Sequence, residues 1–213
     1  AVSVKGGNNA ENHNHNDIGS YAVALGKNTM AGDQGGPFSY PGDYFSAEAP
    51  TKYKIKGSFG HPVPVVDGKT QSAGAKAKAI VLRKEFTEER DLFSIDYTSA
   101  YSTPNLDKLI RTFVYDRQGE GNFTVSDEFT ANVPIRFETA ITTQADWKVL
   151  DDTRLLLTSG TEQMIVNIEA SGKVAFTSET IEVNASAYTR IGIALKEQAE
   201  KGYIWLKMQA KQL

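Results

Sequence analysis

The chain has 213 residues, of which 40% are hydrophobic, 23% charged and 10% aromatic, with a net charge of −3 and no cysteine. This composition excludes disorder, collagen-like repeats, disulfides and cysteine-ligated zinc. No apolar run approaches the ~18 residues that cross a bilayer, and no basic cluster is dense enough for a nucleic-acid footprint. Ala1-Val2-Ser3-Val4 reads as a strand entered without a Met, as in a chain whose front has been removed. The rest of the first 75 residues is broken by Asn, Gly and Pro: Asn8, Asn9, Asn12, Asn14 and Asn16, then Gly32 to Pro37, then Phe38, Tyr40, Tyr44 and Phe45. Long irregular connections of this kind tend to carry function. Alternating apolar and polar residues then predict strands over 51–56, 80–86, 92–97 and 135–141, and again over 154–158, 164–168, 173–177, 180–184, 190–195 and 203–208. Turn signals divide them at Asp67-Gly68, 118–121, Ser159-Gly160 and Ser171-Gly172, and one short helix is expected over 196–201. The fold class is all-β: one antiparallel β-sandwich over 1–213 with long irregular loops near the N-terminus.

Charge is uneven along the chain. Residues 1–84 hold 10 Lys/Arg against 6 Asp/Glu, and residues 85–213 hold 13 against 20. The positive part suits an anionic ligand, or merely solvates a sheet face. All the histidines, His13, His15 and His61, lie in the irregular front end. In Asn12-His13-Asn14-His15-Asn16-Asp17 an extended backbone would put both imidazoles on one side, joined by Asp17. Such a pair binds a metal, or divides ligation from proton transfer. Asp33 and His61 would complete a donor set that zinc accepts. Equally, Asp33 sits in a turn where Asp is common, and His61, between Gly60 and Pro62, reads as an ordinary loop residue. A cupin-like metal-dependent oxygenase would place a Glu shortly after the second histidine. Ile18, Gly19 and Ser20 stand there instead, although an iron triad using Asp33 remains open.

Gly6-Gly7-Asn8, Asn12-His13-Asn14-His15-Asn16-Asp17-Ile18-Gly19-Ser20-Tyr21 and Gly32-Asp33-Gln34-Gly35 resemble the signature that opens the C-terminal β-sandwich of heparinase II/III-like polysaccharide lyases. The resemblance continues through Gly60-His61-Pro62-Val63-Pro64-Val65-Val66-Asp67-Gly68-Lys69-Thr70-Gln71, with His61-Pro62 where many of these proteins show His-Asn. Segments 109–115 and 125–130 fit it only loosely. It implies a sandwich packed on an upstream α/α toroid domain of the same protein, with an acidic polysaccharide in the cleft between them. His13 would be catalytic, and His15, Asp33 and His61 would hold a structural zinc. A tyrosine and an asparagine or histidine would come from the toroid, so the sandwich alone would be inactive. The implied reaction is β-elimination on a uronic-acid-containing glycan, heparin/heparan sulfate-like or alginate-like, in a bacterial periplasmic or secreted enzyme. In that chemistry a base removes the C5 proton, an acid protonates the leaving 4-oxygen, and charge on the carboxylate is neutralised. An imidazole, with an ordinary pKa of ~6.5, suits proton transfer near neutral pH.

Lys52, Lys54 and Lys56 would share one strand face available to the polysaccharide, or form a solvated edge. Tyr40, Tyr44 and Tyr53 would stack on sugar rings, or pack half-buried. Trp147 and Trp205 are assigned to sheet packing. The rival functional class is a non-catalytic glycan-binding or structural module.

Overall fold

The computed structural model describes residues 1–36, 39–46, 48–183 and 186–211. Short strands cross the N-terminal part: β1 (Val2–Val4), β2 (Asn8–Asn9), β3 (Tyr21–Leu25), β4 (Asn28–Gly32) and, after the helical turn α1 (Ala49–Lys52), β5 (Val65–Val66) and β6 (Gly74–Lys78). Longer strands follow: β7 (Ile80–Phe86), β8 (Arg90–Asp96), β9 (Leu106–Asp116), β10 (Asn122–Ile135), β11 (Phe137–Thr143), β12 (Asp146–Asp151), β13 (Arg154–Ser159), β14 (Glu162–Ala170), β15 (Val174–Val183), β16 (Ser186–Leu195) and β17 (Ala199–Ala210). A large sheet runs β12-β13-β14-β17-β10-β9-β8-β7, and a smaller one runs β15-β16-β11-β5. With β1-β3-β4 and the β2-β6 pair they form an antiparallel β-sandwich, the expected class.

Alternation puts Leu109 and Phe113 of β9, and Phe123, Val125 and Phe129 of β10, into the core against Phe137, Ile191 and Ile193 of the small sheet. The rings of Phe129 and Phe137 stack across the layers at 4.6 Å. The hydroxyls of Thr142 and Thr143 in β11 donate to the carbonyls of Gly32 and Met30 in β4, both at 2.6 Å. These bonds fasten the front-end sheet to the sandwich, and with it the segment that carries Asp33.

The same alternation buries two charges. Arg111 lies in phase with Leu109 and Phe113, and Asp127 lies in phase with Val125 and Phe129; they face each other across the β9–β10 pair. The guanidinium grips both carboxylate oxygens, through Nε at 2.7 Å and Nη2 at 2.6 Å. Nη2 also donates to Thr139 Oγ1, and Nη1 donates to the carbonyls of Gly19 and Pro62, both at 2.7 Å. All five guanidinium N–H donors are thereby used.

The observed elements differ from expectation where local pattern competes with tertiary contacts. Residues 51–56 are not a strand, so Lys52, Lys54 and Lys56 do not share a face. Pro50 stands in the first turn of α1, Lys52 ends it, and the chain then turns. The run 135–141 is two strands, because Arg136 carries the chain from the large sheet to the small one just after Pro134 and a register shift. Runs 173–177 and 180–184 merge into β15, with Asn184 outside the described residues. Residues 196–201 form no helix. The stretch is too short to offset helix nucleation: Lys196 N–H extends the β15–β16 ladder to Lys173 O at 2.9 Å, and β17 begins at Ala199, paired with Ile135 of β10. In β7 no face is buried: Ile80, Val81, Leu82 and Phe86 are all exposed on the sheet edge. Asp67 and Gly68 both have positive φ, 49° and 75°, as a two-residue hairpin turn requires.

Arg111→Met leaves Asp127 buried without a counter-charge and should lower the unfolding free energy by about 3–5 kcal/mol. Adding Asp127→Leu should restore part of that loss. The double variant should remain below wild type by about 1–3 kcal/mol, because the Gly19 and Pro62 carbonyls stay unpaired. Urea denaturation midpoints at constant m value measure both effects.

Candidate functional site

The site is built from loops at one edge of the small sheet. Two of its side chains follow a glycine that a larger residue could not replace. A Cβ on Gly32, which has φ +105°, would overlap the Tyr21 backbone, and one on Gly60 would overlap Lys54 O. These close approaches turn Asp33 and His61 inward. Carbonyls on alternate residues around His61 are then pinned from the sandwich: Gly60 by Tyr188 Oη at 2.6 Å, Pro62 by Arg111, and Pro64 by Tyr101 Oη at 2.8 Å. The Gln71 side chain pairs with the Ile18 backbone in the manner of a strand, accepting at 3.0 Å and donating at 2.7 Å.

His15, Asp33 and His61 meet as a chain of contacts through the His61 ring. His61 Nδ1 lies 3.0 Å from Asp33 Oδ2, and its Nε2 lies 2.8 Å from Ile55 O and 3.2 Å from His15 Nδ1. Carbonyl and carboxylate oxygens only accept, so both ring nitrogens of His61 face acceptors, an arrangement that favours the imidazolium. Burial alone would lower the His61 pKa, but the hydrogen bond and charge of Asp33 raise it. Burial alone would likewise raise Asp33; the hydrogen bond and charge of His61, Gly35 N–H at 2.8 Å and Ser20 Oγ at 2.9 Å hold it well below the usual carboxylate range. Burial, reinforced by the charge on His61, pushes His15 down to about 4. His15 is therefore neutral at pH 7, with its Nδ1 lone pair toward His61 and its Nε2–H toward Tyr44 Oη at 3.0 Å. Asp17 completes the surroundings. Its carboxylate accepts from Lys5 Nζ at 2.5 Å, and burial raises it above its ordinary value.

His13 stands apart. Its φ of 59° breaks the extended run, so His13 and His15 do not share a side; Asn-rich sequence favours such turns over strand. The His13 ring is exposed, edge-on to Phe45 at 4.9 Å, and lines an open cleft of about 400 Å³ with Asn12, Asn14, Asn16 and Lys56. This separation takes His13 and His15 off a common face, so the local His-x-His face expected from the sequence does not form. A larger groove of about 590 Å³ lies between Lys108 and Tyr203 on the large sheet, but no histidine lines it.

The other expected contact residues are less available. Lys52 is paired with Asp43 and Lys54 with Glu179. Tyr44 is 1% exposed, so its role is to hold His15 rather than to stack on a sugar; burial pushes its hydroxyl up to about 12. Tyr40 is 55% exposed and rests on Tyr44 and Phe45. Trp205 packs on Tyr203 at 5.0 Å, and Trp147 packs against the core.

The donors fit a cation of the zinc type in two partial ways. The ligand atoms of Asp17, Asp33 and His61 lie within 4.8 Å of one another. Alternatively, the 3.2 Å between His15 Nδ1 and His61 Nε2 is close to the ~3.3 Å that two nitrogens span on a tetrahedral zinc. His61 shows Asp33 one nitrogen and His15 the other, so the expected three-ligand set does not converge on one point as arranged. Ser20, Gln71 and Arg111 take part around the site without having been given a role from sequence. Asp17 was joined to the His pair and Lys56 to the lysine stripe, but neither was counted among the site residues.

No family model and no curated protein matches the chain. Its fold does match solved structures. A heparinase III, the BT4657 gene product, superimposes with a TM-score of 0.77 at 12% identity, covering 99% of this chain and 32% of that one. The heparan sulfate lyase HepC from Pedobacter heparinus gives a TM-score of 0.74 at 15% identity, covering 100% of this chain and 33% of that one. The chain therefore has the fold found in about a third of the length of these lyases.

In metal-free protein, Asp33→Asn should cost about 1–3 kcal/mol of stability by removing the anion from a buried imidazolium. His61 should then titrate at lower pH than in wild type, as read by NMR of the ring protons.

Proposed function

We propose that the chain is the β-sandwich part of a polysaccharide lyase that cleaves a uronic-acid-containing glycan by β-elimination. The observation that carries this reading is an exposed imidazole on a cleft, backed by a rigid His/Asp cluster, in a fold shared with heparinase III. His13 is the proton-transfer residue of this wall. In the reaction the C5–H bond breaks and its electron pair forms the C4=C5 double bond as the C4–O bond breaks. One group takes the C5 proton and another protonates the leaving oxygen. His13 serves one of these roles, and the other falls to the facing domain, an α/α toroid on this reading.

His15, Asp33, Asp17 and His61 are the residues that would hold zinc. Bound there, the ion would fix the loop that presents His13. In either case this chain's residues keep His13 free: Asp33 and Ile55 occupy His61, and Tyr44 occupies His15. No helix among the described residues is long and apolar enough to cross a membrane, which agrees with a periplasmic or secreted enzyme on a polymeric acidic substrate.

In the protein carrying both walls, His13→Ala should lower kcat by ~10²–10⁴ and leave stability within ~0.5 kcal/mol, since the residue is exposed. Absorbance of unsaturated uronate product reads the rate. Activity untouched by this change would make the sandwich a binding module instead. Protein purified without chelator should contain zinc by elemental analysis, and His61→Ala should lose it. Hydrogen exchange should then rise over residues 12–61 with the core still protected.

A further inference from the structure

Lys56 is the one lysine of the expected stripe that turns inward. It is 7% exposed and lines the His13 cleft. Its ammonium lies 5.0 Å from the Tyr44 ring centre and 4.7 Å from that of Phe45, and it donates to Tyr44 O. An ammonium has three donors, and among the described residues no carboxylate lies within ion-pair distance of this one. Glu11, exposed on the cleft wall, does not reach it. Desolvation lowers the Lys56 pKa, the mark of a cation short of a counter-charge. Unlike Lys5, Lys52 and Lys54, each held by a carboxylate, Lys56 keeps its charge for something that enters the cleft. Its surroundings fit a sugar acid: the amides of Asn12, Asn14 and Asn16 for hydroxyls, and half-exposed Phe45 for a C–H face.

We propose that Lys56 is the anion-recognition residue of this cleft, holding the carboxylate or sulfate of an acidic glycan beside His13. This rests on the lyase reading for the identity of the ligand. It assigns this wall a charge-neutralising role as well as a proton-transfer one.

Calorimetric binding of defined tetrasaccharides tests it: an unsulfated hexuronate, its carboxyl-reduced neutral counterpart, and a sulfated carboxyl-reduced one. Wild type should prefer at least one charged probe to the neutral one by roughly tenfold or more. Which charged probe is preferred identifies the anion. Lys56→Met should erase the preference while leaving the neutral probe's affinity unchanged, and Lys56→Arg should retain it. A folded Lys56→Met that still prefers the charged probe overturns the proposal. Should Lys56→Met fail to fold, Lys56→Gln and wild type at raised ionic strength decide the matter, and a wild type indifferent to ligand charge overturns it. Product absorbance from wild-type protein carrying both walls separates the two readings. Turnover with a Lys56-independent preference keeps the lyase and rejects the Lys56 site. A Lys56-dependent preference without turnover of any acidic polymer does the reverse.

Discussion

A buried, bidentate ion pair between Arg111 and Asp127 governs the placement of everything that carries chemistry. Two charges in a core are tolerable only when every donor and lone pair finds a partner. Here the satisfaction is complete on the arginine side, and Tyr97 and Thr139 add hydroxyl donors to the carboxylate at 2.9 and 2.6 Å. The pair also fixes register. Slipping β9 past β10 by one residue would send one of the two charges to the opposite face. Its reach beyond the sheets matters most. Arg111 Nη1 binds the carbonyls of Gly19 and Pro62, in the loop after Asp17 and the loop after His61. One guanidinium in the large sheet therefore sets the distance between two loops that are far apart in sequence.

On that support the histidines divide into two kinds by what surrounds them. His61 has acceptors at both nitrogens, which favours its charged form; burial, reinforced by His61, favours neutral His15. Neither has a spare position for exchanging protons with a ligand. His13, two residues from His15 but turned out by a left-handed backbone, has solvent and Phe45 around it. A cation at the cluster would replace the His61 proton facing His15 and leave this division unchanged.

Part of the sandwich was legible because alternation is a strong signal wherever a strand has one buried face, as in β8, β14 and β17; β9 and β10 alternate as well but were not read as strands. It misled at 51–56, where three lysines at period two lie on a helical turn and in turns, with different partners. Helix-forming residues at 196–201 misled in the opposite sense, because ladder pairing with β15 on one side and β10 on the other overrides six residues of propensity. Within the site, the meeting of His15, Asp33 and His61 was legible through the resemblance; spacing alone had left it open. The same-side argument for His13 and His15 failed on a single φ angle that no composition rule reveals. Arg111 and Asp127 were hidden by their polarity, yet their phase was readable. A charge in step with Leu109 and Phe113, and an opposite charge in step with Val125 and Phe129 on the neighbouring strand, is the pattern of a buried pair.

The basic excess of residues 1–84 does not by itself produce an electropositive cleft. Lys5, Lys52 and Lys54 are neutralised by Asp17, Asp43 and Glu179, the last supplied by the acidic remainder of the chain. The charge available to a ligand at His13 is that of Lys56, partly stripped of water by two aromatic rings. A single desolvated ammonium interacts more strongly with an anion than several hydrated ones, since the attraction grows as the local dielectric falls. The cleft is nonetheless open on one side, so water competes for both groups until a second surface covers it. On the proposed reading, one wall fixes the acid function of the sugar and offers a proton carrier. The closing wall adds the second proton-transfer group and excludes water. Rate acceleration would then depend on the two walls meeting, although ligand recognition at Lys56 would not.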